Sequence, residues 1–281
     1  MDISNFKIVV DSSADTMSFN EAPFAVAPLK IITDNKEYID DSDLNVEQMV
    51  KDLSEYSGKS STACPSPLDW LKAFGDAQYV FCITITGSLS GSYNAALIAK
   101  ADYEENHPER NVCLIDSLSA GPEIRLIVEK IGEYINSGMN FEEISGKIVE
   151  YTKHTALIFM LESMRNLANN GRVSKVAAKA AGILGIRAVG IASDEGTLQL
   201  MEKSRGEKKA LASIIGIMEK LGFSGGKVKL GHCFNKDGAD KLSQLISEEF
   251  GEVDIEVYPI RGLCSFYAEK GGLMIGLEKS H

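Results

Sequence analysis

Small hydroxyl side chains stand where apolar runs of this sequence give way to loops, in the segments 11–13, 61–67 and 88–93. Hydroxyl groups and the N–H groups of helix starts are suitable donors to an anionic or strongly polar group. No well-placed histidine, pair of cysteines or pair of acids accompanies these segments. The pattern therefore predicts a site that holds a polar ligand without cleaving it.

The segment 87–92 is the most informative of the three regions. Its two glycines allow a close approach of the backbone, and Ser88, Ser90 and Ser92 place hydroxyls beside the start of a helix. It contains neither the Gly-Lys-Ser/Thr of a phosphate-binding loop nor the G-x-G-x-x-G of a dinucleotide site. These absences disfavour nucleotide binding.

The other two segments also have structural interpretations, which the sequence leaves open. Asp11, Ser12 and Ser13 can cap the helix predicted after the first strand, which stabilises a helix by roughly 1 kcal/mol. Thr62 lies in a predicted loop between two helices, where threonine is common because of turn geometry alone. Each residue is therefore a candidate ligand contact and a candidate turn residue.

Basic residues provide two further candidate contacts. Arg172 follows a glycine in a break between two predicted helices, so it can reach an anion or contact a helix C-terminus. Lys203, Arg205, Lys208 and Lys209 form a basic cluster on an otherwise acidic protein. The cluster is either a solvated face or a docking patch for an acidic partner.

A serine- or cysteine-dependent acyl-ester hydrolase is the catalytic alternative. Ser90 or Cys64 would need a histidine within hydrogen-bond reach and an acid behind it. His232, at the end of a predicted strand, is the one serious candidate base, and the role of a buried core histidine suits it better. The G-x-S-x-G elbow is absent, so the sequence favours binding over hydrolysis.

The elements that must position these residues follow a strand–turn–helix order. Predicted strands at 7–10, 79–86 and 112–116 each end in a polar turn, and a helix follows. Such units form a parallel sheet with right-handed crossovers. Ligands bind at the carboxyl ends of the strands in sheets of this kind.

The pattern changes in the second half of the chain. A hairpin is predicted from 186–192 and 198–203, and helices at 163–170 and 175–183 precede it. We therefore predict an α/β protein of two domains. Residues 1–155 form an N-terminal α/β domain with a parallel sheet and hydroxyl-rich loops, and residues 156–281 form a C-terminal α/β domain with a mixed sheet.

Composition restricts the partners and the compartment. The 281 residues carry 29 basic and 40 acidic side chains, a net charge of −11, which argues against nucleic acid or an anionic membrane surface as the main partner. The first residues do not resemble a signal peptide, and the apolar runs are too short for stable membrane insertion. Five scattered cysteines without C-x-x-C spacing predict a cytoplasmic protein without a metal site.

Several motifs, taken in chain order, resemble the DegV family of bacterial fatty-acid-binding proteins. The resemblance runs almost from end to end, and the set of motifs is more specific than any one of them. The motifs are Val-Asp-Ser-Ser-Ala-Asp at 10–15, Ala-Pro-Leu at 27–29, Tyr-Ile-Asp-Asp at 38–41, Thr-Ala-Cys-Pro-Ser-Pro at 62–67, Leu-Ser-Gly-Ser-Tyr at 89–93 and Gly-Arg-Val-Ser at 171–174.

The resemblance implies a carrier without catalysis or cofactor that encloses one long-chain fatty acid between its two domains. Thr62 and Ser90 match hydroxyls that hydrogen-bond the carboxylate, and Arg172 matches an arginine near the head group. In the fatty-acid kinase system, a similar protein, the acyl-carrier subunit, presents the bound acid to a separate kinase. Arg205 matches an arginine on the surface implicated in that docking.

Two departures from the family pattern concern the head group. Ala63 stands where the family usually has serine, so one potential donor is missing. Tyr267 falls roughly where the family has the histidine of His-x-Gly-Pro-Gly, and a tyrosine hydroxyl can donate a hydrogen bond but carries no positive charge at neutral pH. The remaining residues expected to contact or shape the ligand site are Gly91, Ser92, Ser12 and Ser13.

Overall fold

The structure is a computed structural model that describes residues 3–174 and 185–279. All structural statements below concern these residues. The helix predicted at 175–183 lies outside them.

The first sheet is parallel throughout, with its strands in the order β2-β1-β6-β7. Its apolar, β-branched runs are buried on both faces, as expected for a parallel sheet covered by helices. The carboxyl ends of its strands share one edge, and β1, β6 and β7 are each followed by a candidate loop or a polar turn. The strands are β1 (Phe6–Asp11), β2 (Phe24–Ala27), β6 (Tyr79–Thr84) and β7 (Asn111–Asp116).

Helices cover both faces of this sheet. On one face, α2 (Pro67–Phe74) and α3 (Ser92–Asn106) pack against residues such as Val9. On the other face, α4 (Pro122–Asn136) and α5 (Phe141–Tyr151) pack against residues such as Ile8. Side chains alternate along a strand, so Ile8 and its neighbour Val9 point to opposite faces of the sheet. Helix α2 begins at Pro67, directly after a capping serine, and proline is favoured in the first turn of a helix.

A small antiparallel sheet, ordered β4-β3-β5, adjoins the first sheet. Its strands are β3 (Lys30–Ile32), β4 (Glu37–Ile39) and β5 (Ser61–Ala63), and α1 (Val46–Glu55) follows β4. The stretch 24–32 is therefore divided between two sheets around Pro28, which has no N–H to continue a ladder. Thr62 lies in β5 opposite Ile31, and its predicted placement in a loop is wrong.

The second sheet is mixed, as predicted, with the strand order β10-β9-β8-β13-β11-β12. Within this sheet, β11 and β12 pair in parallel, and the other described pairs of strands are antiparallel. The last residues of this half form a short helix and then a strand. The elements of this half are β8 (Thr155–Leu161), α6 (Arg165–Asn169), β9 (Ile186–Ala192), β10 (Leu198–Arg205), α7 (Glu207–Lys220), β11 (Lys227–His232), α8 (Lys236–Phe250), β12 (Asp254–Pro259), α9 (Gly262–Ala268) and β13 (Leu273–Glu278).

Helix α4 joins the two large sheets. Its apolar face packs on the first sheet, and its charged side chains reach the second. Glu129 lies 2.5 Å from the ammonium of Lys229, and Glu133 lies 2.6 Å from that of Lys227. Burial around Lys229 protects this ion pair from solvent screening. The helix therefore fixes the separation of the sheets.

Asp15 lies buried where the second half of the chain returns to the first. Its Oδ1 atom accepts a hydrogen bond of 2.8 Å from the backbone N–H of Arg261. Burial raises the pKa of Asp15 to about 7, and the nearby Asp40 carboxylate raises it too. The Arg261 N–H, the Cys264 thiol and the charge of Arg125 lower this pKa without offsetting the burial.

The raised pKa of Asp15 predicts a pH-dependent contribution to stability. A carboxyl whose pKa rises on folding stabilises the protein fully below its ordinary pKa of 3.8, and this stabilisation is lost as the pH rises through about 7. An asparagine at this position would not titrate, yet it would keep an oxygen for the Arg261 N–H. We expect the cost of Asp15→Asn in free energy of unfolding to shrink from about pH 4 to about pH 7.

Urea unfolding of both proteins across this pH range measures the difference. Asp254→Asn, at an exposed carboxylate, serves as the control, and its cost should vary little with pH. A cost of Asp15→Asn that is constant with pH would contradict the assignment.

Candidate ligand-binding site

An apolar cavity of about 720 Å³, its mouth included, lies between the first and second sheets. Strand β8 contributes Leu157, Phe159 and Leu161 to its wall. Side chains alternate along a strand, so Ile158 and Met160 point the other way, into the core of the second half. One face of β8 therefore lines the cavity while the opposite face anchors the sheet.

Four polar side chains that the sequence identified meet on the wall of this cavity. They come from separate parts of the chain and are Thr62, Ser90, Arg172 and Tyr267. The hydroxyls of Thr62 and Tyr267 lie 2.8 Å apart, although 205 residues separate them in sequence. The guanidinium carbon of Arg172 lies 5.9 Å from the centre of the Tyr267 ring. The fold thus assembles hydroxyl donors and one cation at a single place.

The electrostatics of this place suit an anion. Burial raises the pKa of Tyr267, although the Thr62 hydrogen bond and the charge of Arg172 lower it, so the phenol stays a neutral donor at physiological pH. Arg172 donates from Nε to the carbonyl of Leu89 at 3.1 Å. Over the described residues, the cavity wall contains no carboxylate to balance the guanidinium.

The loop that carries Ser90 is held at its first two residues. The backbone N–H of Gly87 donates to both oxygens of Asp116, each at 3.1 Å. The Ser88 hydroxyl donates to the carbonyl of Glu195 at 2.6 Å, in the turn of the β9–β10 hairpin. Both halves of the chain therefore fix the loop, which leaves Ser90 on the cavity wall.

Other hydroxyls that the sequence identified lie in the interior, around Asp11. The carboxylate of Asp11 accepts hydrogen bonds from the Ser13 hydroxyl at 2.5 Å, the Ser92 hydroxyl at 2.6 Å and the backbone N–H of Ile85 at 2.9 Å. The Ser12 hydroxyl accepts from the N–H of Leu29 at 3.0 Å. These serines are fully buried and are not among the described residues of the cavity wall.

Gly91 is exposed and is not among the described residues of the cavity wall. A Cβ atom there would come within 3.2 Å of the sulfur of Cys64, the residue that follows β5, so the glycine permits a close approach of the loop to this residue. Asp11 itself caps the short turn at Ser12–Ala14 by accepting from the N–H of Ser13. The sequence suggested that this segment caps a helix, and a 3₁₀ turn takes the place of that helix.

Among the described residues, no histidine lines the cavity to serve as the base of a hydrolase. His232 is buried and does not line the cavity, and burial, together with the charge of Lys236, lowers its pKa. Burial raises the pKa of the Cys64 thiol as well as that of Cys264, which disfavours the reactive thiolates. The geometry therefore favours holding a ligand at Ser90.

Sequence reasoning did not identify the residues of the apolar wall or the role of Asp11. The continuous apolar run of β8 was a usable signal, because such a run is typical of a strand that is buried on both faces. Asp11 carried no comparable signal, since its partners Ile85 and Ser92 are distant in sequence.

Metal clusters and membrane spans are both absent from the described chain. No group of three or more His, Cys, Asp or Glu side chains within 3–174 and 185–279 is placed to hold a metal ion. Likewise, none of the helices in these ranges has the length and apolar character needed to cross a membrane.

A family described as "Uncharacterised protein, DegV family" matches residues 5–279 of the chain. A DegV domain-containing protein of Streptococcus pneumoniae is 42% identical over 278 residues, which cover 97% of this chain and 99% of the relative. The similarity therefore extends over the whole fold.

Solved structures of the same family share this architecture. A DegV family protein from Eubacterium eligens, loaded with heptadecanoic acid, is 43% identical, with a TM-score of 0.96 over 98% of this chain and 100% of that chain. The fatty acid kinase (Fak) B3 protein of Streptococcus pneumoniae, loaded with linoleic acid, is 41% identical, with a TM-score of 0.96 over 98% and 99%. The resemblance in the sequence motifs and the predicted fold class are both confirmed: the chain belongs to the DegV family.

Proposed function

We propose that the protein binds one long-chain fatty acid, with its tail in the apolar cavity and its carboxylate beside Thr62, Ser90, Arg172 and Tyr267. The observation that carries this proposal is the composition of the cavity wall. It is apolar apart from these four side chains and one thiol, among the residues that the structure describes. An amphiphile with a single anionic group matches such a wall.

The tail supplies most of the binding free energy in this proposal. Burial of each methylene is favourable by on the order of 0.8 kcal/mol, and a long-chain acid carries about 15 of them. The cost of immobilising the flexible chain reduces the net gain. A lipid of this kind therefore stays bound through purification, and its head group determines selectivity among amphiphiles.

The hydroxyl pair explains how the carboxylate is held. One of the two hydroxyls of Thr62 and Tyr267 donates to the other, so the hydroxyl that accepts still has its own proton to donate. A carboxylate can accept a hydrogen bond from this hydroxyl and another from Ser90, and Arg172 compensates the negative charge of the carboxylate. Ser12, Ser13 and Ser92 contribute in this proposal from the interior, and Gly91 from the exposed side of its loop, by shaping the loops.

The proposal also covers the division of the chain into domains, the absence of a cofactor and of catalysis, and the compartment. Residues 1–155 and 156–281 act as two domains that close on the ligand. The protein has no cofactor and no catalytic step of its own, and it works in the cytoplasm. We therefore expect no turnover of chromogenic acyl esters above that of Ser90→Ala.

A separate fatty-acid kinase is the proposed partner. Arg205 is exposed at the end of β10, and Lys203, Lys208 and Lys209 are exposed beside it in sequence. Clustered cations of this kind steer an acidic partner toward one face of an acidic protein. The bound acid would be presented to the kinase, which converts it to an acyl-phosphate.

Removal of two cavity hydroxyls should weaken fatty-acid binding. Thr62→Val with Ser90→Ala removes hydrogen-bond donors from a buried carboxylate, so we expect a loss of affinity of about ten- to hundredfold. Native mass spectrometry of the purified proteins, followed by displacement titrations with C14–C18 acids, measures occupancy and Kd.

The matched control is Ser61→Ala, next to Thr62 in β5, whose side chain is exposed and is not on the cavity wall. It should retain the affinity of the wild type within about twofold. Equal lipid content in the double variant and the wild type would refute the head-group assignment. A wild type that stays free of lipid after incubation with these acids would refute the function itself.

Charge reversal at Arg205 should separate lipid binding from presentation. We expect Arg205→Glu to reduce acyl-phosphate formation by the kinase by about tenfold or more, because a repulsive charge slows encounter with an acidic surface. Its fatty-acid Kd should be unchanged, since Arg205 is not on the cavity wall. Lys51→Glu, at an exposed site on α1, is the control for net charge. Equal rates for both variants would contradict the docking surface.

A further inference from the structure

Two buried carboxylates from the first half of the chain hold the start of helix α9. Asp40 accepts hydrogen bonds from the backbone N–H groups of Gly262 at 3.1 Å and Leu263 at 2.8 Å. Asp15 accepts one from the preceding residue, Arg261. The N–H groups at a helix start have no partners within their own helix, so these carboxylates supply them.

The contact between these segments is close and costly. A Cβ atom on Gly262 would come within 2.6 Å of an Asp40 oxygen, so only glycine permits this approach. Asp40 is fully buried, and burial raises its pKa, although hydrogen bonds from Leu263 and Ser12 lower it. Buried carboxylates are expensive to desolvate, and a capping serine could satisfy a helix start at lower cost.

Helix α9 carries the residues that depend on this contact. Leu263 and Tyr267 are four positions apart, so they share one face of the helix, and both line the cavity. Phe266 points away from that face and packs with Ile31 and Met49 of the first half. The position of the Tyr267 hydroxyl therefore follows from where the helix begins.

We propose that Asp40, assisted by Asp15, is a positioning residue for the head-group end of the cavity. Its two hydrogen bonds set the place of α9, and this places the Tyr267 hydroxyl against Thr62 and the carboxylate of the ligand. The inference rests on the proposed function. It also gives a role to the motifs at 10–15 and 38–41, whose acids do not themselves line the cavity.

A merely structural role for Asp40 would weaken binding whether or not the Tyr267 hydroxyl is present. A positioning role acts through that hydroxyl, so its effect disappears once the hydroxyl is removed. A double-mutant cycle with Asp40→Asn and Tyr267→Phe distinguishes these roles. The asparagine side chain would keep one acceptor oxygen and turn an NH₂ group toward the other N–H, which loosens the helix start and keeps the volume.

The measured quantity is the Kd for oleic acid in the full-length protein. We expect each single variant to weaken binding by about tenfold. The double variant should bind within about twofold of Tyr267→Phe alone. Asp41→Asn is the matched control. The carboxylate of Asp41 accepts a hydrogen bond from the backbone N–H of Asp43, and the contact of Asp41 with Arg261 is made by its backbone carbonyl. It should leave Kd unchanged.

Hydrogen exchange tests the contact without any ligand. Amides of residues 263–268 should exchange faster in Asp40→Asn than in the wild type, and Asp41→Asn should not change them. Asp15→Ala, which removes the acceptor of the Arg261 N–H, goes through the same cycle, so the test survives if Asp40→Asn does not fold.

Two results would overturn the inference while leaving the proposed function intact. One is hydrogen exchange of the α9 amides that is the same in Asp40→Asn as in the wild type. The other is a double variant whose loss of affinity equals the product of the losses in the two single variants. A wild type that fails to bind oleic acid would refute the proposed function, and the positioning role with it. Faster exchange together with a non-additive cycle supports both.

Discussion

The buried carboxylate of Asp11 is the interaction on which the arrangement of the site depends. It joins three segments, because it accepts hydrogen bonds from Ser13, from the backbone of Ile85 after β6 and from Ser92 at the start of α3. Burial raises the pKa of Asp11, and the hydrogen bonds lower it. Displacing any one segment would leave a buried polar group without its partner, at a cost of about 1–3 kcal/mol. The loop that carries Ser90 is therefore fixed before a ligand arrives.

The same constraint explains which parts of the site the sequence could predict. Long apolar runs and local caps specify β6 and the start of α2 without reference to distant residues, so these elements were predictable. The hydroxyls were identified as a group, but residue type does not tell whether a serine faces a cavity or an interior carboxylate. Ser90 and Ser92 are two positions apart, and only the location of Asp11 separates their roles. Thr62 was misplaced because β5 is a three-residue strand defined by its pairing with β3 and not by a pattern of its own.

The cavity exists because the second sheet uses both of its faces. Strand β8 packs the core of the second half with one set of alternating side chains and lines the cavity with the other set. Helix α4 keeps the two sheets apart through its ion pairs with β11, so the space between them does not collapse into one core. An apolar space between well-packed layers forfeits dispersion contacts while it is empty, and an acyl chain restores them. Stability and lipid binding are thus linked through the same walls.

Tyrosine at position 267 gives the head-group end a chemistry of its own. A histidine beside a carboxylate would titrate near neutral pH, so its charge and its hydrogen bonds would change together. Burial raises the pKa of Tyr267, so that its hydroxyl keeps its proton throughout this range. The positive charge on the described wall then comes from the guanidinium of Arg172. Charge compensation and hydrogen bonding are therefore divided between two residues, Arg172 and Tyr267.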